Sequence, residues 1–221
     1  MSDCCNGDAA TQFAGESQAY KRVIWLVIAI NAGMFVVEVT AGALAQSQAL
    51  QADALDFLGD AVTYAISLAV IGRTLALRAS AALFKGLLLA LVGLWVLGST
   101  LYRVFVLPMP DEVVMGSVGL MAFVANLTAA VLLMRWRNGD ANVRSVWLCS
   151  RNDTIGNVAV ILAAIAVGWT ASAWPDLVVA AAMAALFMHS AVKVIRQARK
   201  ELAFAHAPRL AEKAATPQIP A

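Results

Sequence analysis

Three aspartates, Asp53, Asp56 and Asp60, lie inside one of the most apolar stretches of this chain, and a fourth, Asp153, lies inside another. An ionised carboxylate at the centre of a lipid bilayer costs roughly 2.5–3.5 kcal/mol on insertion scales. Such side chains persist where they face a polar cavity, an ion or a proton path. These aspartates are therefore the first candidates for a functional site.

The composition is that of a polytopic membrane protein. Hydrophobic residues make up 61% of the 221 residues and charged residues 14%, against about 45–50% and about 25% in soluble domains. The net charge of +2 is small and the basic residues are dispersed, which argues against nucleic acid as a partner. The cysteines at 4, 5 and 149 indicate no disulfide framework, because adjacent cysteines pair poorly and Cys149 lies in an apolar run.

Six apolar segments are near or above the roughly 20 residues that a helix needs to cross 30 Å of hydrocarbon. We expect these spans at residues 22–45, 48–76, 81–107, 112–135, 142–171 and 174–197. No sustained period-two alternation favours strands, so we predict an all-α membrane protein with six transmembrane helices. This domain covers residues 21–200, between a disordered N-terminal tail (1–20) and a short C-terminal tail (201–221). The first span is too long for a signal peptide, and we expect it to be retained.

The lysine and arginine residues predict the orientation of these spans. On one side of the membrane we place Lys21, Arg22, Arg73, Arg78, Lys85, Arg135, Arg137, Arg144, Lys193, Arg196, Arg199 and Lys200. The opposite side has Arg103 alone, beside Asp111, Glu112 and Asp176. The positive-inside rule therefore predicts that both termini lie in the cytoplasm.

The acidic residues of the second span form one stripe, because positions 53, 56 and 60 fall within roughly 60° of one another on a helix. In the fifth span, Cys149, Asp153 and Asn157 form a second polar stripe. At 1.5 Å per residue, Asp56 and Asp60 lie about 13 and 19 Å from the outer face. Asp153 and Cys149 lie about 15 and 21 Å from it. The two stripes therefore match in depth.

Four side chains at one depth on two facing helices suit a tetrahedral metal site, since carboxylates and a thiolate are both ligands that Zn²⁺ accepts. Without a cation, some of these close carboxyl groups would stay protonated. Metal binding would then release protons, which provides a route to proton–metal exchange. The alternative is that the aspartates only hydrogen-bond neighbouring helices or pair with Arg151.

At these residues the chain resembles the cation diffusion facilitator family. The likeness in the second span is the stretch from Ser47 to Asp60 (SQALQADALDFLGD), and in the fifth it is the sequence Asn-Val-Arg at 142–144 followed by Cys149 and Asp153. Asn31, Glu38 and Gly42 in the first span also resemble the family pattern. The resemblance covers all six spans.

The resemblance implies a divalent-cation/proton antiporter, usually a homodimer, that exports Zn²⁺ or related metals as substrate and has no prosthetic group. We place it in a bacterial inner membrane. Asp56, Asp60 and Asp153 would be metal ligands, with Cys149 at the position where the family usually has histidine or aspartate. That thiol could favour softer ions such as Cd²⁺. The chain also resembles a short form without the family's cytoplasmic domain.

Other residues have weaker predictions. Asp53, Glu38 and Asn157 are secondary or proton-path candidates. The alternatives are an interfacial acid near the helix start for Asp53, a helix–helix hydrogen bond for Glu38 and a packing amide for Asn157. Arg151 is expected to form an ion pair with Glu38 or Asp53, and the alternative is a charge that modulates the site. Cys4 and Cys5 could capture metal before transport, although such a tail is usually disordered.

Three alternative functions remain at this point. An intramembrane metalloenzyme would need a paired histidine or His-Glu motif that the chain lacks. A membrane-embedded metal sensor would bind metal without transport. A transporter could also carry Fe²⁺, Co²⁺, Ni²⁺ or Mn²⁺ instead, of which Mn²⁺ is disfavoured by a thiolate.

Overall fold

The computed structural model describes residues 17–71, 73–106, 109–138 and 141–215. Over those residues the chain forms six α-helices and a single turn of 3₁₀ helix, and it contains no β-strand. The helices are α1 (Gln18–Leu44), α2 (Gln48–Ala69), α3 (Leu75–Val106), α4 (Glu112–Leu133), α5 (Ala141–Thr170) and α6 (Trp174–Ala215), and the 3₁₀ turn is Met134–Trp136. The prediction of an all-α fold is confirmed for this part of the chain.

Five segments of these helices are long and apolar enough to cross a membrane. They are Gln18–Leu44, Ala79–Val106, Glu112–Trp136, Cys149–Thr170 and Trp174–Ala205. The helix missing from this set is α2, which carries three aspartates within its 22 residues. Its length of about 33 Å is nevertheless that of a bilayer's hydrocarbon core. A sixth crossing and the cytoplasmic location of both termini stay predictions.

The junction between the second and third spans differs from the prediction. The second span was predicted to reach residue 76, but α2 ends at Ala69 and α3 already begins at Leu75. Thr74 explains the early start, because its hydroxyl accepts a hydrogen bond from the backbone N–H of Leu77 (3.4 Å). A side chain in that position satisfies one of the free N–H groups in a first helical turn. At the other end of the chain, α6 continues to Ala215 and enters the predicted tail.

Four helices form a central bundle. In it α1 packs along α2, α4 packs along α5, and contacts of α1 with α4 and of α2 with α5 close the bundle. The remaining helices, α3 and α6, pack along each other and touch the bundle through α2 and α5. Gly86 permits the close α3–α6 contact, since a Cβ there would lie 2.7 Å from Ile195 Cγ1. The α2–α5 interface therefore lies inside the protein, where the predicted site needs it.

Several connections meet at one end of the bundle. The carbonyl of Ala45 accepts a hydrogen bond from the N–H of Asp111 (2.9 Å), and the carbonyl of Gln46 accepts one from Arg103 Nη1 (2.6 Å). Asp176, near the start of α6, bonds to the start of α2 at the same end. The grouping of these residues at one end, predicted from the charge pattern, is confirmed. Which side of a membrane this end faces stays a prediction.

Candidate metal-transport site

The acidic stripe of α2 extends further than the three aspartates. The helix runs without interruption from its N-cap at Ser47, so residues spaced by three or four stay on one face. After Asp53, Asp56 and Asp60, that face continues with Tyr64 and then Ser67, and the Tyr64 hydroxyl donates a hydrogen bond to Asp60. The stripe is therefore a continuous row of polar groups along α2.

The polar stripe of α5 lies opposite this row. Asn157 Nδ2 donates a hydrogen bond to Asp53 Oδ2 at 2.7 Å. The carboxyl group of Asp153 lies within hydrogen-bonding reach of both Asp56 and Asp60. The two helices thus run antiparallel in the register that the depth argument predicted.

Cys149 is the fourth predicted ligand, and it lies beside the carboxyl groups. It is partly buried, and the charges of Asp60 and Asp153 act on its thiol. The same side chain packs against an apolar cluster that includes Tyr64 and Val146. Its position fits both readings left open by the sequence, a metal ligand and a packing residue.

The predicted ligands are brought together without forming a closed metal shell. Over the residues described here, no three His, Cys, Asp or Glu side chains are arranged so that they could hold a metal ion. Asp56, Asp60 and Asp153 are each partly exposed, and Asp153 Oδ2 is a buried atom without a hydrogen-bond partner. The Asp153 carboxyl group therefore has an oxygen atom free to bind a cation.

Two residues near the site were not predicted from the sequence to belong to it. Lys85 was counted among the basic residues at the inner side, but it lies inside α3, where its Nζ donates to Ser67 Oγ at 2.8 Å. Its charge acts on Asp60 and Cys149. Tyr64 was not among the predicted site residues, although its spacing of one helical turn from Asp60 places the hydroxyl beside that carboxylate.

The secondary candidates also come together, on the side of the site nearer Asp176. Glu38 on α1 and Asp53 on α2 have their carboxyl groups within hydrogen-bonding reach of each other. Asn157 connects Asp53 to α4, because its Oδ1 accepts a hydrogen bond from Asn126 Nδ2 (2.9 Å). All four side chains are buried.

The expected ion pair of Arg151 with Glu38 or Asp53 is wrong. Arg151 is exposed, its Nη2 donates to Asn152 Oδ1 (3.1 Å), and its guanidinium lies 5.3 Å from the centre of the Trp147 ring. The helical position of residue 151 turns it away from the stripe that carries 149, 153 and 157. The other peripheral prediction concerns Cys4 and Cys5, which lie outside the described residues.

Residues 24–203 match the family model described as the cation efflux transmembrane domain. The chain belongs to the cation diffusion facilitator family. Members of this family are cation efflux transporters, and the match together with the apolar helices makes the chain a multi-pass membrane protein. The predicted family is therefore confirmed.

Two bacterial relatives illustrate the similarity. The metal cation efflux system protein CzcD of Cupriavidus metallidurans is 29% identical over 172 residues, which are 72% of this chain and 54% of that protein. The cadmium, cobalt and zinc/H(+)-K(+) antiporter of Bacillus subtilis is 26% identical over 196 residues, which are 80% of this chain and 62% of that protein. The chain thus spans little more than half the length of the curated relatives it matches.

Proposed function

We propose that this chain exports a divalent metal cation, Zn²⁺ or Cd²⁺, from the cytoplasm in exchange for protons. The metal is the transported substrate, bound between α2 and α5 by Asp56, Asp60, Cys149 and Asp153. The observation that carries the proposal is the close approach of the Asp153 carboxyl group to those of Asp56 and Asp60, where the polar stripes of α2 and α5 meet.

The donor set fits a borderline-soft cation. Carboxylate oxygens alone would suit Mg²⁺, Ca²⁺ or Mn²⁺, whereas a thiolate added to them favours Zn²⁺ and softer ions. The name of the Bacillus subtilis relative includes cadmium, cobalt and zinc, and this supports the same range of substrates here. Co²⁺, Fe²⁺ and Ni²⁺ are the next candidates, and Mn²⁺ follows them.

Proton exchange follows from the close approach of the carboxyl groups. Without a cation, Asp153 cannot face two ionised aspartates at hydrogen-bonding distance unless protons are shared among them. A divalent cation replaces those protons, because its charge stabilises the ionised carboxylates. Proton binding from the outer side would then release the metal there.

Binding requires a local rearrangement. No ready-made cage exists among the residues described, and the Tyr64 hydroxyl orients Asp60 through one of its oxygen atoms. We infer that the metal draws Asp56, Asp60 and Asp153 together with the thiol as the two helices adjust. Such a shift between α2 and α5 is the step that would alternate access between the two sides.

The proposal includes location and assembly. A multi-pass chain whose matched relatives are bacterial fits the cytoplasmic membrane of a bacterium, with both termini in the cytoplasm, as the basic residues predict. A homodimer is proposed from the resemblance to the family. Metal cations, protons, lipid and a second copy of the chain are then its partners.

A proteoliposome assay tests the function. Purified protein is reconstituted with a metal-sensitive and a pH-sensitive dye inside, and Zn²⁺ or Cd²⁺ is added outside under an imposed proton gradient. We expect metal flux with opposite proton flux for the native chain, and at least about 100-fold slower flux for Asp56→Ala and Asp153→Ala, since even outer partners of metal ligands are worth 10–100-fold.

Asp111→Asn is the control, because Asp111 is an exposed cap at the start of α4 and asparagine caps equally well. Full exchange by Asp56→Ala or Asp153→Ala would contradict the site assignment. Metal binding by the native chain without flux across a sealed vesicle would favour the sensor instead.

A further inference from the structure

Glu38 is a buried acid without a conventional partner. Its side chain is 0% exposed, and neither Oε1 nor Oε2 has a hydrogen-bond donor in the structure. The group it faces is another acid, Asp53, which is 2% exposed. An acid in this position is costly unless a cation or a proton neutralises it.

The surroundings of this acid pair contain amides and further acids. Asn157 on α5 donates to Asp53, and Asn126 on α4 donates to Asn157. The charges that act on Glu38 are the carboxylates of Asp53 and Asp56, both on α2, and the charge of Asp53 also acts on Asp153 of α5. Lys85 acts instead on Asp60 and Cys149, further along the stripe.

This geometry requires a shared proton. Two ionised carboxylates in contact and away from water repel strongly, whereas one carboxylic acid donating to one carboxylate forms a short, strong hydrogen bond. Asn157 holds the second oxygen of Asp53, which leaves the first free to face Glu38. A metal ion is a poor occupant, because the pair supplies only two carboxyl groups and the neighbouring amide of Asn157 is already bonded to Asp53 and Asn126.

We propose that Glu38 and Asp53 form a proton-binding site, separate from the metal ligands, that holds one proton in the metal-free protein. The proposal rests on the proposed function, since metal at the neighbouring site is what displaces the proton. When the cation binds one helical turn away, its positive charge favours two ionised carboxylates here, and the proton leaves to water. On metal release the pair takes a proton back. One proton of the exchange is thus carried by residues that never touch the metal.

Proton release on metal binding measures this directly. Native protein in detergent and weak buffer is titrated with Zn²⁺ while a pH dye counts protons, and the bound Zn²⁺ is counted by equilibrium dialysis. For Glu38→Gln we expect unchanged Zn²⁺ stoichiometry and about one proton fewer released per bound metal. Glu112→Gln is the matched control, because Glu112 is an exposed acid in the first turn of α4, and it should leave the proton count unchanged.

Infrared spectroscopy gives a readout that does not need metal. The metal-free native protein should show the carbonyl stretch of protonated carboxylic acids in a dry setting, and Glu38→Gln should lose the contribution of one such group while that of Asp56, Asp60 and Asp153 remains. If Glu38→Gln does not fold, Asp53→Asn is measured by proton release, again with about one proton fewer per bound Zn²⁺ expected, because Glu38 then stays protonated with or without metal.

Three results would overturn the proposal. The first is a folded Glu38→Gln protein that releases as many protons per bound Zn²⁺ as the native protein does. The second is loss of Zn²⁺ binding in folded Glu38→Gln and Asp53→Asn, which would make the pair part of the metal site. The third is Zn²⁺ transport by the native protein that requires K⁺ or Na⁺ and does not change with pH. Failure of the native chain to bind Zn²⁺ would instead refute the proposed function, and the infrared band would still decide the state of the pair.

Discussion

Asp176, in the first turn of α6, accepts a hydrogen bond from the hydroxyl of Ser47, the N-cap of α2, at 2.6 Å. The same carboxylate accepts bonds from the backbone N–H groups of Gln48 (2.7 Å) and Ala49 (3.0 Å). Three donors at the start of α2 are therefore satisfied by a residue more than 120 positions away in the chain. This contact fixes the end of the helix that carries the acidic stripe.

Asp176→Ala should strongly destabilise the protein. It removes a charged acceptor from three buried donors. Each donor costs about 1–3 kcal/mol if no other group or water replaces the lost acceptor. We expect a total loss of roughly 2–4 kcal/mol, measured by thermal unfolding in detergent. Asp111→Ala is the matched comparison, since it removes a helix cap that is exposed and local. Equal losses for both variants would show that the long-range contact adds nothing.

Tyr64→Phe should weaken metal binding while the fold is kept. The ring stays in its buried position and only the hydroxyl that donates to Asp60 is lost. Because partners that orient a ligating carboxylate are typically worth 10–100-fold in metal affinity, we expect a Kd for Zn²⁺ about 10-fold higher. Isothermal titration in detergent checks this, with Tyr102→Phe as the control because Tyr102 is exposed on α3. A stronger affinity would mean that the hydroxyl competes with the metal.

Lys85→Met should strengthen metal binding. The ammonium group acts on Asp60 and Cys149, so its positive charge opposes that of an incoming cation. Methionine keeps much of the length and removes the charge, and the gain should be on the order of 1 kcal/mol, or several-fold in Kd at low salt. Lys193→Met is the control, since Lys193 is exposed on α6. An unchanged Kd at low salt would show that the charge of Lys85 is screened from the site.

Cys149→His should change which metal is preferred. Replacing a thiolate by an imidazole disfavours soft Cd²⁺ relative to Zn²⁺. We expect the ratio of Cd²⁺ to Zn²⁺ flux to fall about 10-fold or more in a competition assay. Cys149→Ala distinguishes the loss of a ligand from its exchange, because alanine should slow both metals. A ranking that survives in both variants would reduce Cys149 to a packing residue of its apolar cluster.

The helices and the register of the site could be read from the sequence. Spacings of three and four residues put Asp53, Asp56 and Asp60 on one face, and rise per residue alone matched them to 149–157 on α5. Helical geometry is local and regular, so these distances do not depend on the rest of the fold. The ends of α2 and α3 were less predictable, because a single capping hydroxyl at Thr74 moved the boundary.

The tertiary structure decided which polar groups surround the stripe. Glu38 and Asn126 come from α1 and α4, and their approach to Asp53 and Asn157 depends on how four helices pack. The sequence likewise predicted only that Lys85 is a basic residue at the inner side. The position of α3 beside α2 is what brings its ammonium group to the hydroxyl of Ser67. Pattern and charge along one chain thus determined an all-helical membrane protein with an acidic α2 stripe facing a polar α5 stripe. Contacts between helices far apart in sequence decided where each buried charge finds its partner, since those partners depend on packing in three dimensions.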